Sequence, residues 1–73
     1  MFPKLTFHML GIIVSLGDGA KPCTWFIQSA LISLAAKGFV VIGQYATLTS
    51  TGRSLVVEAS RRLDAMQEGE TNV

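Results

Sequence analysis

An α+β domain with a two-stranded hairpin standing between helices is the fold class that this sequence predicts, and three observations predict it. Gly38 follows Lys37 directly after a regular apolar pattern, Gly43-Gln44 divides two strand-prone runs, and Thr49 opens a stretch that returns to helical spacing. A helix end favours a residue without a β-carbon that can enter the left-handed region, and a lysine beside it sets a cation against the negative end of the helix dipole. The helix is therefore predicted to stop at Lys37-Gly38. Phe39 to Ile42 and Tyr45 to Thr49 are rich in β-branched and aromatic residues, which suit strands. Gly43-Gln44 fits a two-residue loop of type II′, with glycine at its first central position. Thr49 is placed to cap the next helix by accepting a hydrogen bond from a backbone N–H two or three residues on. Gly52 falls in the first turn of that helix, where the missing side chain permits close packing.

The remaining elements follow from spacing and punctuation. Met1 to Lys4 is a short leader in which Pro3 discourages helix. Thr6 is a candidate cap for a first helix in which Met9, Ile12, Ile13 and Leu16 recur at helical spacing, with Leu10 and Val14 widening the apolar face. Gly17-Asp18-Gly19 ends it. Residues 18–23 read as a loop, and Pro22 suits the start of a second helix, from about Thr24 to Lys37. On a wheel of roughly 100° per residue, Ile27, Ala30, Leu31 and Leu34 turn inward, while Trp25, Ser29, Ile32, Ser33 and Ala36 turn outward. Phe39, Val41 and Leu48 are expected to close the core, with Tyr45 at its edge. A third helix, about Ser50 to Met66, aligns Leu55, Val56, Ala59, Leu63 and Met66. Glu58 and Arg62 lie i,i+4 in the favourable order, worth ~0.3 kcal/mol of helix support. The expectation is one domain over residues 1–66 and a flexible polar C-terminal tail over 67–73.

The pattern Leu31-x-x-Leu34-x-x-x-Gly38-Phe39-Val40, followed by Tyr45-x-x-Leu48-Thr49-x-x-Gly52-Arg53-x-Leu55, resembles the second half of winged-helix domains of the MarR and PadR transcription-factor type. The match covers roughly residues 27–60, and Leu48 to Leu55 is its most specific part. The resemblance implies that the second helix ends a recognition helix, that the hairpin is the wing, and that Leu48 to Arg53 leads into a C-terminal helix. It implies a small winged-helix-like domain of three helices and a two-stranded wing, and a DNA-binding function. The helix-turn-helix is expected to be incomplete, because about six residues separate the first two helices and leave no room for the helix that braces a recognition helix.

Composition bounds what such a domain can do. Its 73 residues make at most one domain, of a size that buries only about 60 % of its unfolded surface, so a partner is expected on stability grounds. The chain is 49 % hydrophobic and 15 % charged, and residues 1–52 carry only Lys4, Asp18, Lys21 and Lys37 as charged side chains. That is an apolar surface for a soluble monomer. One cysteine, Cys23, excludes an internal disulfide, and with one histidine, His8, no metal-ligand cluster is expected. No motif sets Cys23, His8 and Asp18 in nucleophile, base and orienter roles, so no enzyme activity, cofactor or small-molecule substrate is expected. Gly17-x-Gly19 is too little for a phosphate loop. A reducing, cytoplasmic setting is the default for a lone cysteine.

Three functions remain, in order. The first is a protein-interaction module of the kind found among small phage or mobile-element proteins, which dimerises or binds and modulates a host protein through Trp25, Ser29, Ile32, Ser33 and Ala36. The second is a sequence-specific DNA-binding regulator using Lys21, Gln28, Lys37, Gln44, Tyr45, Arg53, Arg61 and Arg62. A net charge of +1 ranks it below the first, because it offers a polyanion little attraction. Residues 53–73 hold three arginines against four carboxylates. The third is a small membrane protein, including a signal-peptide or lipoprotein reading of residues 1–23. The uncharged runs 5–17, 22–36 and 38–52 fall short of the roughly 20 residues a spanning helix needs, and Lys21-Pro22 is a poor cleavage context.

Overall fold

Residues 4–71 are described by a computed structural model, with side chains through residue 66. The elements run α1 (Phe7–Leu16), β1 (Lys21–Pro22), a 3-10 turn (Cys23–Trp25), α2 (Gln28–Ala36), β2 (Val40–Ile42), β3 (Tyr45–Leu48), α3 (Ser50–Arg53) and α4 (Val56–Thr71). The class is α+β, with a three-stranded antiparallel sheet ordered β1-β3-β2. This corrects the expectation of three helices and two strands: the described residues hold four α-helices, and Lys21-Pro22 adds a short strand on Ala46 and Tyr45. A proline is tolerated there because β1 is an edge strand.

The predicted caps are present. The Thr6 side chain accepts from the Met9 N–H at 3.3 Å to open α1, which stops at Leu16 before Gly17-Asp18-Gly19. At the end of α2, Gly38 takes φ +85°, its N–H donates to Ala35 O, and the Phe39 N–H donates to Leu34 O, both at 3.0 Å. That bonding pattern satisfies carbonyls that a helix end leaves orphaned, and glycine enters the left-handed conformation without a steric penalty.

Thr49 ties the two sides of the hairpin together. Its hydroxyl donates to Gly38 O at 2.7 Å and accepts from the Gly52 N–H at 3.1 Å, while its own N–H donates to Phe39 O at 3.0 Å. One side chain thus joins the C-terminal end of α2 to the first turn of α3. Thr49→Val keeps the shape and removes both hydroxyl bonds. It is expected to cost about 1–2 kcal/mol in urea unfolding, with most of that restored by Thr49→Ser.

Three local expectations are corrected. The second helix begins at Gln28, not near Thr24, because Phe26 (φ −122°, ψ 159°) and Ile27 (φ −67°, ψ 122°) are extended. Thr24-Trp25-Phe26-Ile27 is an aromatic and β-branched run with weak helix preference, so only a 3-10 turn forms over its start. The last helix is split. The Ser54 hydroxyl donates to Thr51 O at 2.6 Å, the carbonyl that an unbroken helix would offer to Leu55 N–H. Leu55 N–H donates instead to Gly52 O at 3.1 Å, which tightens the turn and separates α3 from α4. The hairpin pairs Val40 with Leu48, Val41 with Thr47 and Ile42 with Ala46, and Gly43-Gln44 connects its strands as expected, while Tyr45 at the start of β3 pairs with Pro22, but the turn type differs from the expected one. Positive φ occurs only at Gly19 and Gly38 among the described residues, and a type II′ turn at Gly43-Gln44 is thereby ruled out.

That register decides which side chains are inside. A shift of one residue exchanges the two faces of a strand. Val40 is therefore buried, and Val41, expected in the core, is exposed. The core joins Leu10, Ile12, Ile13 and Leu16 of α1 to Ala30, Leu31 and Leu34 of α2, with Phe39, Val40, Ala46, Leu48 and Ala59. Leu55, Val56 and Leu63 pack against it, whereas Met66, expected on the same stripe, is exposed. The packing of α1 is most extensive against α4 and continues onto α2 and β3. Helix α4 continues to Thr71, past the predicted end at Met66, and residues 72–73 of the expected tail lie outside the described residues.

Candidate interaction surface

Helix α2 spends its inner face on Ala30, Leu31 and Leu34, which leaves Ser29, Ile32 and Ala36 exposed and Ser33 half-buried on the other side. Ile32 is 57 % exposed. Four of the five residues predicted for protein binding therefore share one open helical face. Trp25 does not belong to it. It sits in the 3-10 turn, 66 % exposed, and with Phe26 and Ile27 it forms one wall of a groove.

The opposite wall is α1. Phe7, His8, Gly11 and Ser15 line it, Ile12 is buried at its base, and the open volume is about 300 Å³. Spacing explains the set. Leu10, Ile13 and Leu16 face the core, so Phe7, Gly11 and Ser15, four apart, form a second ridge that points away from it. The Phe7 and His8 rings meet edge to face with centroids 5.9 Å apart. None of the eight lining residues is a lysine, arginine, aspartate or glutamate.

The wheel placed Ile27 in the core because it assumed a helix from Thr24; in the extended segment before α2 the side chain is 52 % exposed and joins the groove. Phe7, Ile27 and the Phe7-Gly11-Ser15 ridge are thus the part of the surface that sequence reasoning passed over. The four-residue recurrence beside the apolar stripe was the signal available for it.

The residues proposed for nucleic-acid contact are spread over β1, α2, the hairpin, α3 and α4. Lys21 is half-buried in β1, Gln28 and Lys37 stand at opposite ends of α2, Gln44 is exposed in the hairpin loop and Tyr45 is exposed at the start of β3. The Gln28 amide also donates to Cys23 O at a long 3.5 Å. Arg61 and Arg62 both pair with Glu58, at 3.4 and 3.1 Å, so one carboxylate offsets part of their combined charge. Arg53 lines a second open cavity, of about 420 Å³, together with Asp18, Leu16 and Val56.

No family model, curated protein or solved structure matches this chain. Among the described residues no helix is long and apolar enough to cross a membrane. Nor does any group of three histidine, cysteine, aspartate or glutamate side chains come together there as a metal site would require.

Proposed function

We propose that the chain is a small protein-interaction module, winged-helix-like in its second half, that works in the cytoplasm by dimerising or by binding and modulating a host protein. The observation that carries this reading is the uncharged groove with Trp25, Phe7 and Ile27 exposed on its walls. Tryptophan at the edge of a groove is the residue type on which binding energy concentrates, and depletion of charge marks the centre of protein interfaces. The winged-helix part is supported by the hairpin between α2 and the Thr49-capped α3, with β1 paired along the other edge of β3.

Trp25→Ala is the test. Its side chain is mostly outside the core, so the variant should keep the wild-type circular dichroism and unfolding midpoint. Retention of a partner from nuclease-treated host lysate should fall by about 30-fold or more, the loss of a hot-spot anchor of roughly 2 kcal/mol. Undiminished retention would remove Trp25 from the surface.

One observation favours DNA binding as a second reading. The outer face of α2 is open along its length and adjoins the hairpin, the arrangement a recognition helix and wing require. That reading expects a duplex affinity that falls steeply with salt, and no measurable binding at ~50 mM salt would dismiss it.

A further inference from the structure

Gly11 occupies the middle of α1, where a β-carbon would meet no heavy atom within 4 Å other than its chain neighbours and the helix's own backbone. A mid-helix glycine destabilises a helix relative to alanine. At Gly52 and Gly17 the reason for glycine is visible, because an added methyl meets neighbouring atoms. At Gly11 nothing inside the chain makes that demand. What glycine supplies at an open position is room for another backbone to approach from outside.

We infer that the groove, with both its α1 and its Trp25–Ile27 walls, is the contact between two copies of this chain, with their α1 helices crossing at Gly11. The inference rests on the reading of the chain as an interaction module and names the partner for this one surface. A symmetric pair sets the same patch against itself, so any net charge on the patch would face its like. The lining from Phe7 to Ile27 carries none of the four fully charged residue types, so self-pairing meets no such repulsion. Area points the same way. From their exposures, Phe7, Trp25 and Ile27 alone offer roughly 350 Å² of the roughly 800 Å² that each side of a standard interface buries. His8 and Ser15, exposed on the α1 wall, extend the patch toward that size. Phe7 and Ser15 flank the crossing one helical turn to either side of Gly11.

Gly11→Ala gives the two halves of this inference opposite signs. Within a monomer the added methyl enters open space and raises helix propensity, so the melting temperature at low protein concentration should rise by a few degrees. Across a close helix crossing the same methyl is overpacked, so the dimer should weaken at least about tenfold by sedimentation or light scattering over a concentration series. Gly11→Leu should abolish the dimer and keep the monomer's circular dichroism. The inference is overturned by a wild-type chain that stays monomeric up to millimolar concentration. A dimer indifferent to both substitutions, or a Gly11→Ala monomer that melts lower than wild type, overturns it equally. A monomeric chain whose capture of another protein still depends on Trp25 would remove this inference and leave the interaction-module reading standing.

Discussion

Replacing Gly52 with alanine is expected to cost about 3 kcal/mol, a large fraction of the roughly 4–11 kcal/mol that a domain of this length holds. A β-carbon at Gly52 would collide with the carbonyl oxygen of Phe39, lie 3.1 Å from its carbonyl carbon, and press on Leu48 Cδ2 at 3.0 Å. Leucine side chains can turn aside, but the Phe39 carbonyl cannot readily do so. Its oxygen accepts from Thr49 N–H, and the Phe39 N–H is bonded back to Leu34 O. Relieving the clash means pulling α3 away from the hairpin or breaking the cap of α2. Gly43→Ala is the matched control: its β-carbon would meet only Tyr45 O at an ordinary 3.9 Å, and its φ is not positive. That substitution should change stability by no more than ~0.5 kcal/mol. Urea unfolding followed by circular dichroism measures both, and similar midpoints for the two variants would contradict the packing of α3 on Phe39 and β3.

Leu31→Ala should cost about 2–5 kcal/mol, while Ile32→Ala beside it should stay within ~0.5 kcal/mol. Leu31 is fully buried between α1 and the sheet, whereas Ile32 is mostly in water. In a domain this small the lost transfer energy and the remaining cavity together approach the whole stability, so Leu31→Ala should be largely unfolded at 37 °C. The pair tests the rotation of α2 about its axis. Equal effects at the two positions would mean that the face assigned to solvent is covered, and the DNA-binding reading would lose the open α2 face it rests on.

Single residues with one local demand were legible in the sequence. Thr6, Gly38, Thr49 and Gly52 stand where a cap, a left-handed turn or a close approach needs that residue type, and the structure uses each in that way. The inward set Ala30, Leu31 and Leu34 was legible for a similar reason, since a nine-residue helix keeps a strict period. Features settled by distant chain were not legible. Lys21-Pro22 becomes a strand only because Ala46 and Tyr45 lie beside it, and two residues carry no pattern of their own. The hairpin register depends on burying Val40 with Leu48, and four consecutive apolar residues from Phe39 to Ile42 give a period-two pattern nothing to lock onto. Ser54 breaks the last helix through one hydroxyl that helical spacing ignores. The Phe7–Trp25 groove was hidden twice, because its two walls are remote in sequence and the wheel extended α2 through Trp25 and Ile27.

The pairing of α1 with α4 has a consequence for synthesis. These helices are the first and last of the described elements, and their contact is the most extensive between any two. A nascent chain that has released α1 from the ribosome still lacks α4, the element on which α1 packs most extensively. Docking of α1 on α4 must therefore wait until Val56 to Leu63 has emerged, and until then the part of α1 that α4 will cover is open to chaperones or to other chains in the same polysome.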